Sequence, residues 1–96
     1  MSLAAPDQVT LFGHRECPAC REVARKLGAA GWDYTVVEVD IDNPAAAENA
    51  ALRTRLPRWS GFVPVLDVDG TIVELGQGEL WRAFAPWPLA KEVAGV

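Results

Sequence analysis

Two cysteines are separated by two residues in the run Cys17-Pro18-Ala19-Cys20. A thiolate attacks a disulfide to form a mixed disulfide, which a nearby second thiol can then resolve. Pro18 suits the first position of a helix, which would place Cys17 at the N-cap. Unpaired backbone N–H groups and the helix dipole favour a thiolate there, and such sites lower a cysteine pKa from about 8.5 to roughly 3.5–7.5. This pattern predicts that Cys17 is a nucleophile.

Cys20 falls one helical turn after Cys17. The same predicted helical stripe carries Val23, Ala24 and Leu27. A thiol on this apolar stripe should face inward, where desolvation keeps it protonated. We therefore expect Cys20 to resolve the mixed disulfide and to leave a Cys17–Cys20 bond. Arg15 and Arg21 flank the pair and would add positive charge near the thiolate.

Other uses of the two cysteines stay open at this point. Both could be small buried apolar residues with no reactivity. A structural zinc needs about four ligands, and only His14 remains as a further soft ligand in the chain, so a site within one chain is disfavoured. Two subunits could still pool their cysteines around a zinc ion or an iron–sulfur cluster.

The elements that must position the cysteines are a strand before them and a helix after them. Residues 9–12 form a short apolar run ending at Gly13, which predicts a buried first strand. The helix that begins at Pro18 should stop near Gly28 or Gly31. Residues 34–41 are β-branched and partly alternating, which predicts the second strand.

The second half of the chain predicts a helix, a hairpin and a last helix. Asn43 before Pro44 matches an N-cap, and the Ala-rich residues 45–52 favour a helix that ends before Pro57. Residues 64–68 and 71–75 flank Asp69-Gly70, a dipeptide typical of a two-residue hairpin turn. The third helix is predicted from the helical spacing of Leu80, Trp81 and Phe84, with Pro86 ending the pattern.

These elements predict an α/β fold in the order β-α-β-α-β-β-α. The first two strands should be parallel, because a helix connects them, and the hairpin antiparallel, giving a four-stranded mixed sheet with helices on both faces. We expect residues 1–96 to form one domain with a core at about residues 8–85, and leave the tail 86–96 unassigned. Core packing is expected for Trp32, Trp81 and Trp87.

Composition excludes several classes of protein. Half of the 96 residues are apolar and 23% are charged, which is typical of a globular chain. A net charge of -4 opposes binding to nucleic acid. Uninterrupted apolar runs are far shorter than the ~20 residues that cross a bilayer, and the first residues lack the pattern of a signal peptide. We expect a cytoplasmic monomer with no membrane or nucleic-acid partner.

The motif C-P-x-C at a helix start, with Val63-Pro64 opening a hairpin, resembles the glutaredoxin-like branch of the thioredoxin fold over about residues 8–85. The short bacterial glutaredoxin-like proteins are especially similar, since they share the acidic end of the second strand, Val39-Asp40-Ile41-Asp42, and the turn Val63-Pro64-Val65-Leu66. The resemblance implies a cis Pro64 and a Val63 backbone that pairs with an extended substrate. It also implies disulfide-containing proteins or small disulfides as substrates.

The same resemblance suggests an electron donor, either glutathione as co-substrate or a thioredoxin-reductase-type flavoenzyme, with no metal and no tightly bound cofactor. Glutaredoxins usually have Lys where this chain has His14, and Arg15 is the candidate substitute for binding a glutathione carboxylate. Of their Gly-Gly-x-Asp-Asp stretch only Gly76 and an acid, Glu79, remain. Losing one charge-assisted hydrogen bond weakens binding roughly 10- to 100-fold, so we expect weaker glutathione binding.

Residues 52–62 place three arginines and two aromatic residues just before Pro64. One interpretation is a docking or carboxylate-binding rim beside Cys17, with Arg58 and Trp59 as its contacts. The other is that the arginines are a solvated helix end, favourable at the negative pole of the dipole, while Trp59 caps the core. An adaptor that binds protein through this rim without redox chemistry remains a further alternative.

Overall fold

The computed structural model describes residues 6–86. Its regular elements are β1 Val9–Gly13, α1 Pro18–Ala29, β2 Thr35–Glu38, α2 Ala50–Arg55, β3 Val65–Val68 and β4 Thr71–Glu74. Two 3₁₀ helices add Ala47–Asn49 before α2 and Gln77–Arg82 after β4. Within this part of the chain, no helix has both the length and the apolar character to span a bilayer. Trp87 and most of the predicted tail lie outside the described residues.

The four strands form one mixed sheet in the order β2-β1-β3-β4. β1 runs parallel to β2 and antiparallel to β3, and β3 and β4 form an antiparallel hairpin. The register pairs Gly13 with Glu38, Phe12 with Val65, and Val65 with Glu74. These four strand termini therefore meet at one end of the sheet, here named the Cys17 end because β1 leads from it into Cys17. The predicted α/β fold and strand pairing are confirmed.

Helices cover both faces of the sheet, as predicted. On the α1 face the buried apolar residues are Val9, Leu11, Val23, Leu27, Ala30, Trp32, Leu66 and Leu75. The opposite face packs against α2 and buries Phe12, Val39, Leu52, Trp59 and Val65. Alternate residues of the central strands β1 and β3 face the two cores: Leu11 and Leu66 pack on the α1 side, and Phe12 and Val65 on the opposite side.

The predicted start of α1 is confirmed. Cys17 is the N-cap residue, with φ −99° and ψ 108°, and Pro18 occupies the first turn. The helix ends at Ala29, and Gly31 then takes a left-handed φ of +78°. The Trp32 N–H donates a hydrogen bond to the Leu27 carbonyl at 3.0 Å, just after the helix ends. The thiol pair is thus fixed to a rigid helix that begins at the Cys17 end.

The predicted start of the second helix is wrong. Asn43 is not its cap, since residues 43–46 form a turn in which the Ala46 N–H bonds the Asn43 carbonyl at 2.9 Å. The α-helix begins only at Ala50, after one 3₁₀ turn. The reason is Asn49, whose buried side chain bonds the backbone of residues 40–44 and folds them around itself. The predicted helix end before Pro57 is confirmed.

The predicted third helix is not regular. Left-handed backbone at Gly78 (φ 59°) and Glu79 (φ 55°) interrupts the 3₁₀ segment Gln77–Arg82. Lys26 of α1 fixes the end of this segment, because its Nζ donates to three backbone carbonyls, those of Trp81, Arg82 and Phe84, at 3.0, 3.2 and 2.7 Å. Trp81 still packs against the α1 core, as predicted.

Two predicted strand segments need only small adjustments. The second strand is shorter than residues 34–41, because the ladder with β1 ends at Glu38. The hairpin turn lies at Asp69 (φ 49°) and Gly70 (φ 93°), the left-handed backbone that the Asp-Gly dipeptide favours.

Candidate active site

Cys17 Sγ lies at the amino terminus of α1. It accepts a hydrogen bond from the backbone N–H of Cys20 at 3.1 Å. The Cys17 N–H itself donates to the His14 carbonyl at 3.0 Å, and the Cys17 carbonyl accepts the Arg21 N–H at 3.2 Å. The sulfur is half-buried and faces a helix terminus that favours negative charge. The position predicted for Cys17 is therefore the position observed.

Cys20 is shielded by comparison, with 6% of its surface exposed. Burial, with a smaller contribution from its hydrogen bond with Cys17, raises the pKa of the Cys20 thiol to about 12. Gly13 lies directly against it, since a Cβ on Gly13 would come within 3.0 Å of Cys20 Sγ. Both cysteines are free thiols in this structure. The pair combines one accessible sulfur with one that stays protonated at neutral pH.

The Val63–Pro64 peptide bond is cis, as the resemblance implied. The Pro64 carbonyl accepts the N–H groups of Leu75 and Gly76 at 3.1 and 3.0 Å. Gly76 leaves no room for a side chain, because a Cβ there would lie 2.4 Å from the Val63 carbonyl oxygen. Within residues 6–86, neither the N–H nor the C=O of Val63 forms a hydrogen bond. An added extended chain forms hydrogen bonds with unpaired backbone groups of this kind.

The sheet brings these segments to the same end of the molecule. The register of β1 with β3 makes the loop after Gly13 and the segment before Val65 neighbours. Gly76, just after β4, packs on the same Val63 backbone. Seven of the predicted site residues thus share the Cys17 end: His14, Arg15, Cys17, Cys20, Val63, Pro64 and Gly76.

His14 and Arg15 have local partners. His14 Nδ1 accepts the backbone N–H of Glu16 at 3.2 Å. Arg15 Nε lies 2.8 Å from Glu38 Oε1, in a pair that is exposed to solvent. The Arg15 guanidinium holds the pKa of the Glu38 carboxyl below its usual range. The charge predicted to bind a glutathione carboxylate is therefore already matched by Glu38, a residue that the sequence did not single out.

Trp59 and Arg58 differ in burial, although both line the same cleft. Trp59 is 6% exposed, belongs to the core, and donates from Nε1 to the Phe62 carbonyl at 2.7 Å. This burial fits the core-capping alternative, and Trp59 presents only a small exposed part of its surface to the cleft that Arg58 borders. Arg58 is exposed and borders a cleft of about 340 Å³ together with Glu74 and Gln77.

The other two arginines of this segment support the fold. Arg53 donates to the carbonyls of Trp59 and Pro57 at 3.3 and 3.4 Å. Arg55 bonds the Asp67 carboxylate and a hairpin carbonyl. Neither guanidinium is free for a ligand, so Arg58 is the member of the predicted rim that stays unpaired in the described structure.

Glu79, the acid that replaces part of the usual glutaredoxin stretch, is exposed. Its Oε2 lies 3.2 Å from Arg82 Nε, so its charge is partnered locally. Among residues 6–86, no three or more His, Cys, Asp or Glu side chains cluster in a way that could hold a metal ion.

The glutaredoxin family model matches residues 9–73, more than half of the chain. The chain belongs to the glutaredoxin family. The matched range contains both cysteines and the cis proline. A glutaredoxin-like redox or glutathione-related function follows from this membership.

Known relatives agree with the family assignment. A glutaredoxin from Ricinus communis is 28% identical over 88 residues, covering 81% of this chain and 82% of the relative. The solved glutaredoxin from Archaeoglobus fulgidus is 27% identical, with a TM-score of 0.52 over 76% of this chain and 78% of that one. Ure2p, solved in complex with glutathione, is 24% identical with a TM-score of 0.57 over 83% of this chain. This chain spans only 34% of Ure2p, and at that identity the likeness shows the fold alone.

Proposed function

We propose that this glutaredoxin-family chain reduces disulfides by a dithiol mechanism through Cys17 and Cys20. One observation supports the proposal above all others: Cys17 Sγ accepts the Cys20 N–H at 3.1 Å at the start of α1, while the Cys20 thiol is buried behind it. This asymmetry suits one attacking and one resolving sulfur.

The reaction proceeds in two exchanges. The Cys17 thiolate attacks one sulfur of the substrate disulfide, the substrate S–S bond breaks, and the first substrate thiolate departs. The Cys20 thiol then attacks Cys17 Sγ, releases the second substrate sulfur, and gives up its proton to that departing thiolate. Two electrons pass from the chain to the substrate, which leaves a Cys17–Cys20 disulfide. The raised pKa of Cys20 means that it ionises only as it attacks.

Substrate binding in this proposal uses the free backbone of Val63. An extended segment would pair with its N–H and C=O, which holds the substrate disulfide at the Cys17 end of the sheet. Proteins and small molecules with disulfides are the substrate classes. Glutathione or a thioredoxin-reductase-type flavoenzyme would restore the dithiol, and a cytoplasmic location suits a chain that must be reduced between turnovers.

Mass spectrometry after mild oxidation tests the first requirement. The oxidant should take two electrons and two protons from one molecule, so the intact chain should lose the mass of two hydrogen atoms, and Cys17→Ser should abolish that loss. Cys20→Ser should instead accumulate a mixed disulfide on Cys17, because no thiol remains to resolve it. A coloured or metal-containing dimer, isolated without oxidant, would contradict the proposal and favour a cluster shared between two subunits.

The electron donor is tested by coupled NADPH assays. One assay supplies glutathione with glutathione reductase, and the other supplies a thioredoxin-reductase-type flavoenzyme alone. Activity with only one of them identifies the donor, and activity with neither contradicts a role as a disulfide reductase.

A further inference from the structure

Large apolar side chains are exposed at four positions of the described residues: Val36 (57%), Ile41 (36%), Phe62 (54%) and Leu80 (54%). Two of them, Ile41 and Phe62, lie in the segments that follow β2 and precede β3. Both segments are at the Cys17 end of the sheet, because the carboxyl end of β2 and the amino end of β3 flank that of β1. Single exposed apolar side chains are common on protein surfaces, so the relevant observation is that these two lie on adjoining segments beside the cysteines.

The two segments touch each other. A Cβ on Gly61, the residue before Phe62, would lie 3.1 Å from the Ile41 carbonyl oxygen and 3.8 Å from Pro44 Cγ. Gly61 has a φ of +110°, a conformation that L side chains rarely adopt. The chain therefore brings the Phe62 segment against the Ile41 segment by using a glycine between them.

Buried polar groups hold both segments in place. The Asn49 side chain is fully buried; its Oδ1 accepts the Asp40 N–H at 2.8 Å, and its Nδ2 donates to the Asp40 carbonyl at 2.9 Å. Trp59 Nε1 bonds the Phe62 carbonyl at 2.7 Å. The backbones of the Ile41 segment and the Phe62 segment are therefore fixed before a partner binds. Less conformational entropy is then lost on binding.

The adjoining Val63 indicates what occupies this surface. Its N–H and C=O have no hydrogen-bond partner within residues 6–86, and it directly follows Phe62. A segment that pairs with Val63 would place its flanking side chains near Phe62 and Ile41. A protein segment can supply an apolar side chain at that place, whereas a small hydrophilic disulfide cannot. The nearby Arg15 charge is already matched by Glu38, so it adds little for an anionic ligand.

We infer that Ile41 and Phe62 form an apolar docking surface for an extended protein segment with an apolar side chain next to its disulfide cysteine. The inference rests on the proposed function and names its preferred substrate class. Such substrates are reduced faster than hydrophilic disulfides, because covering Phe62 and Ile41 removes apolar surface from water.

Two peptide disulfides of identical sequence, except for Leu or Ser beside one cysteine, test this surface with the full chain. The measured quantity is the ratio of kcat/KM for the Leu peptide to that for the Ser peptide. Phe62→Ser and Ile41→Ser should each lower this ratio about 3- to 10-fold, and Phe62→Leu should retain most of it. Leu80→Ser is the matched control, because Leu80 is as exposed as Phe62, at 54%, and lies in the 3₁₀ segment after β4, outside the proposed surface.

The outcomes separate the surface from the chemistry. A ratio near one for the unaltered chain, or equal losses in Phe62→Ser and Leu80→Ser, overturns the docking surface and leaves the dithiol mechanism standing. Failure of the unaltered chain to reduce either peptide overturns the proposed function and this inference with it. Circular dichroism of each variant establishes that a lowered ratio does not come from unfolding.

Discussion

Gly76 packs so closely on Val63 that a Cβ would lie 2.4, 2.6 and 2.8 Å from the carbonyl oxygen, carbonyl carbon and nitrogen of Val63. The conformation of Gly76 does not require glycine, since its φ is −77°. The requirement is steric, and it comes from the backbone segment that we propose binds substrate. The same backbone region is fixed through the Pro64 carbonyl, which accepts two N–H groups from this turn.

Gly76→Ala should therefore displace the Val63 segment. We expect a loss of about 1–3 kcal/mol in the free energy of unfolding, because backbone atoms cannot move aside as a flexible side chain can. At a temperature where the variant is still folded, disulfide reductase activity should nevertheless fall, because the displaced Val63 backbone no longer positions the substrate. Urea unfolding and peptide-disulfide kinetics measure the two effects.

Gly28→Ala is the matched control for that variant. Gly28 lies in α1, and no atom is within 4 Å of its ideal Cβ position. Alanine there should stabilise the helix by about 0.5–1 kcal/mol and leave activity unchanged. Equal stability and activity of Gly76→Ala and Gly28→Ala would show that the close contact with Val63 has no consequence.

The difference in exposure and ionisation between the two thiols predicts selective alkylation. Iodoacetamide at pH 8 should modify Cys17 and leave Cys20 intact in the folded chain, because Cys20 is buried and its pKa is raised to about 12. In concentrated urea both cysteines should react. Peptide mass spectrometry identifies the modified residue, and modification of Cys20 before Cys17 in the folded chain would contradict the proposed roles.

The raised pKa of Cys20 also predicts how stability changes at high pH. Its ordinary value of 9.0 applies to the unfolded chain, and about 12 to the folded one. Between these values the folded state holds the proton more often than the unfolded state, so the free energy of unfolding decreases as pH rises through this window. The contribution of the Cys20 thiol to the free energy of unfolding is fully present below pH 9 and is lost as the pH rises towards about 12.

Cys20→Ala removes the titrating group and so should flatten the decrease. Urea unfolding at several pH values between about 8 and 11 compares the variant with the unaltered chain. Parallel pH profiles for the two proteins would mean that the Cys20 thiol is not protected from ionisation by the fold.

Local signals in the sequence were sufficient for the first half of the site. The Pro18 that follows Cys17 and the Gly13 that precedes the loop are strong local determinants, and the strand, N-cap and helix occur where they predict. The hairpin was equally accessible, because Asp69-Gly70 specifies the left-handed turn that the structure contains. The cis Pro64, in contrast, was predicted from family resemblance alone.

Features that depend on tertiary contacts were missed. Asn43-Pro44 carries a strong local helix-start signal, but the buried amide of Asn49 binds the preceding loop and delays the helix. Glu38 reads as an ordinary strand residue, and its pairing with Arg15 arises only because β2 lies beside β1. The local sequence pattern does not predict which side chains become neighbours when β2 pairs in parallel with β1.

Asn49→Ala should cost about 3 kcal/mol in the free energy of unfolding, because it leaves the Asp40 N–H and several carbonyls without partners in a buried place. Asn43→Ala is its control, since the Asn43 side chain forms no hydrogen bond within the described residues and should cost less than about 0.5 kcal/mol. Urea unfolding measures both, and faster hydrogen exchange of the Asp40 amide should accompany Asn49→Ala only. A larger loss for Asn43→Ala would restore that residue as the helix cap.

Glu38→Gln should strengthen the use of glutathione by releasing the Arg15 guanidinium, which now lies 2.8 Å from the Glu38 carboxylate. A freed guanidinium can bind a carboxylate of glutathione, so we expect KM for glutathione to fall roughly 3- to 10-fold with little change in kcat. Glu22→Gln is the matched control, because it breaks a similarly exposed pair with Arg25 on the outer face of α1. The coupled NADPH assay measures both constants. If Arg15→Gln and Glu38→Gln shift KM for glutathione in the same direction, Arg15 does not contact glutathione. The Arg15–Glu38 ion pair then has no role in substrate binding.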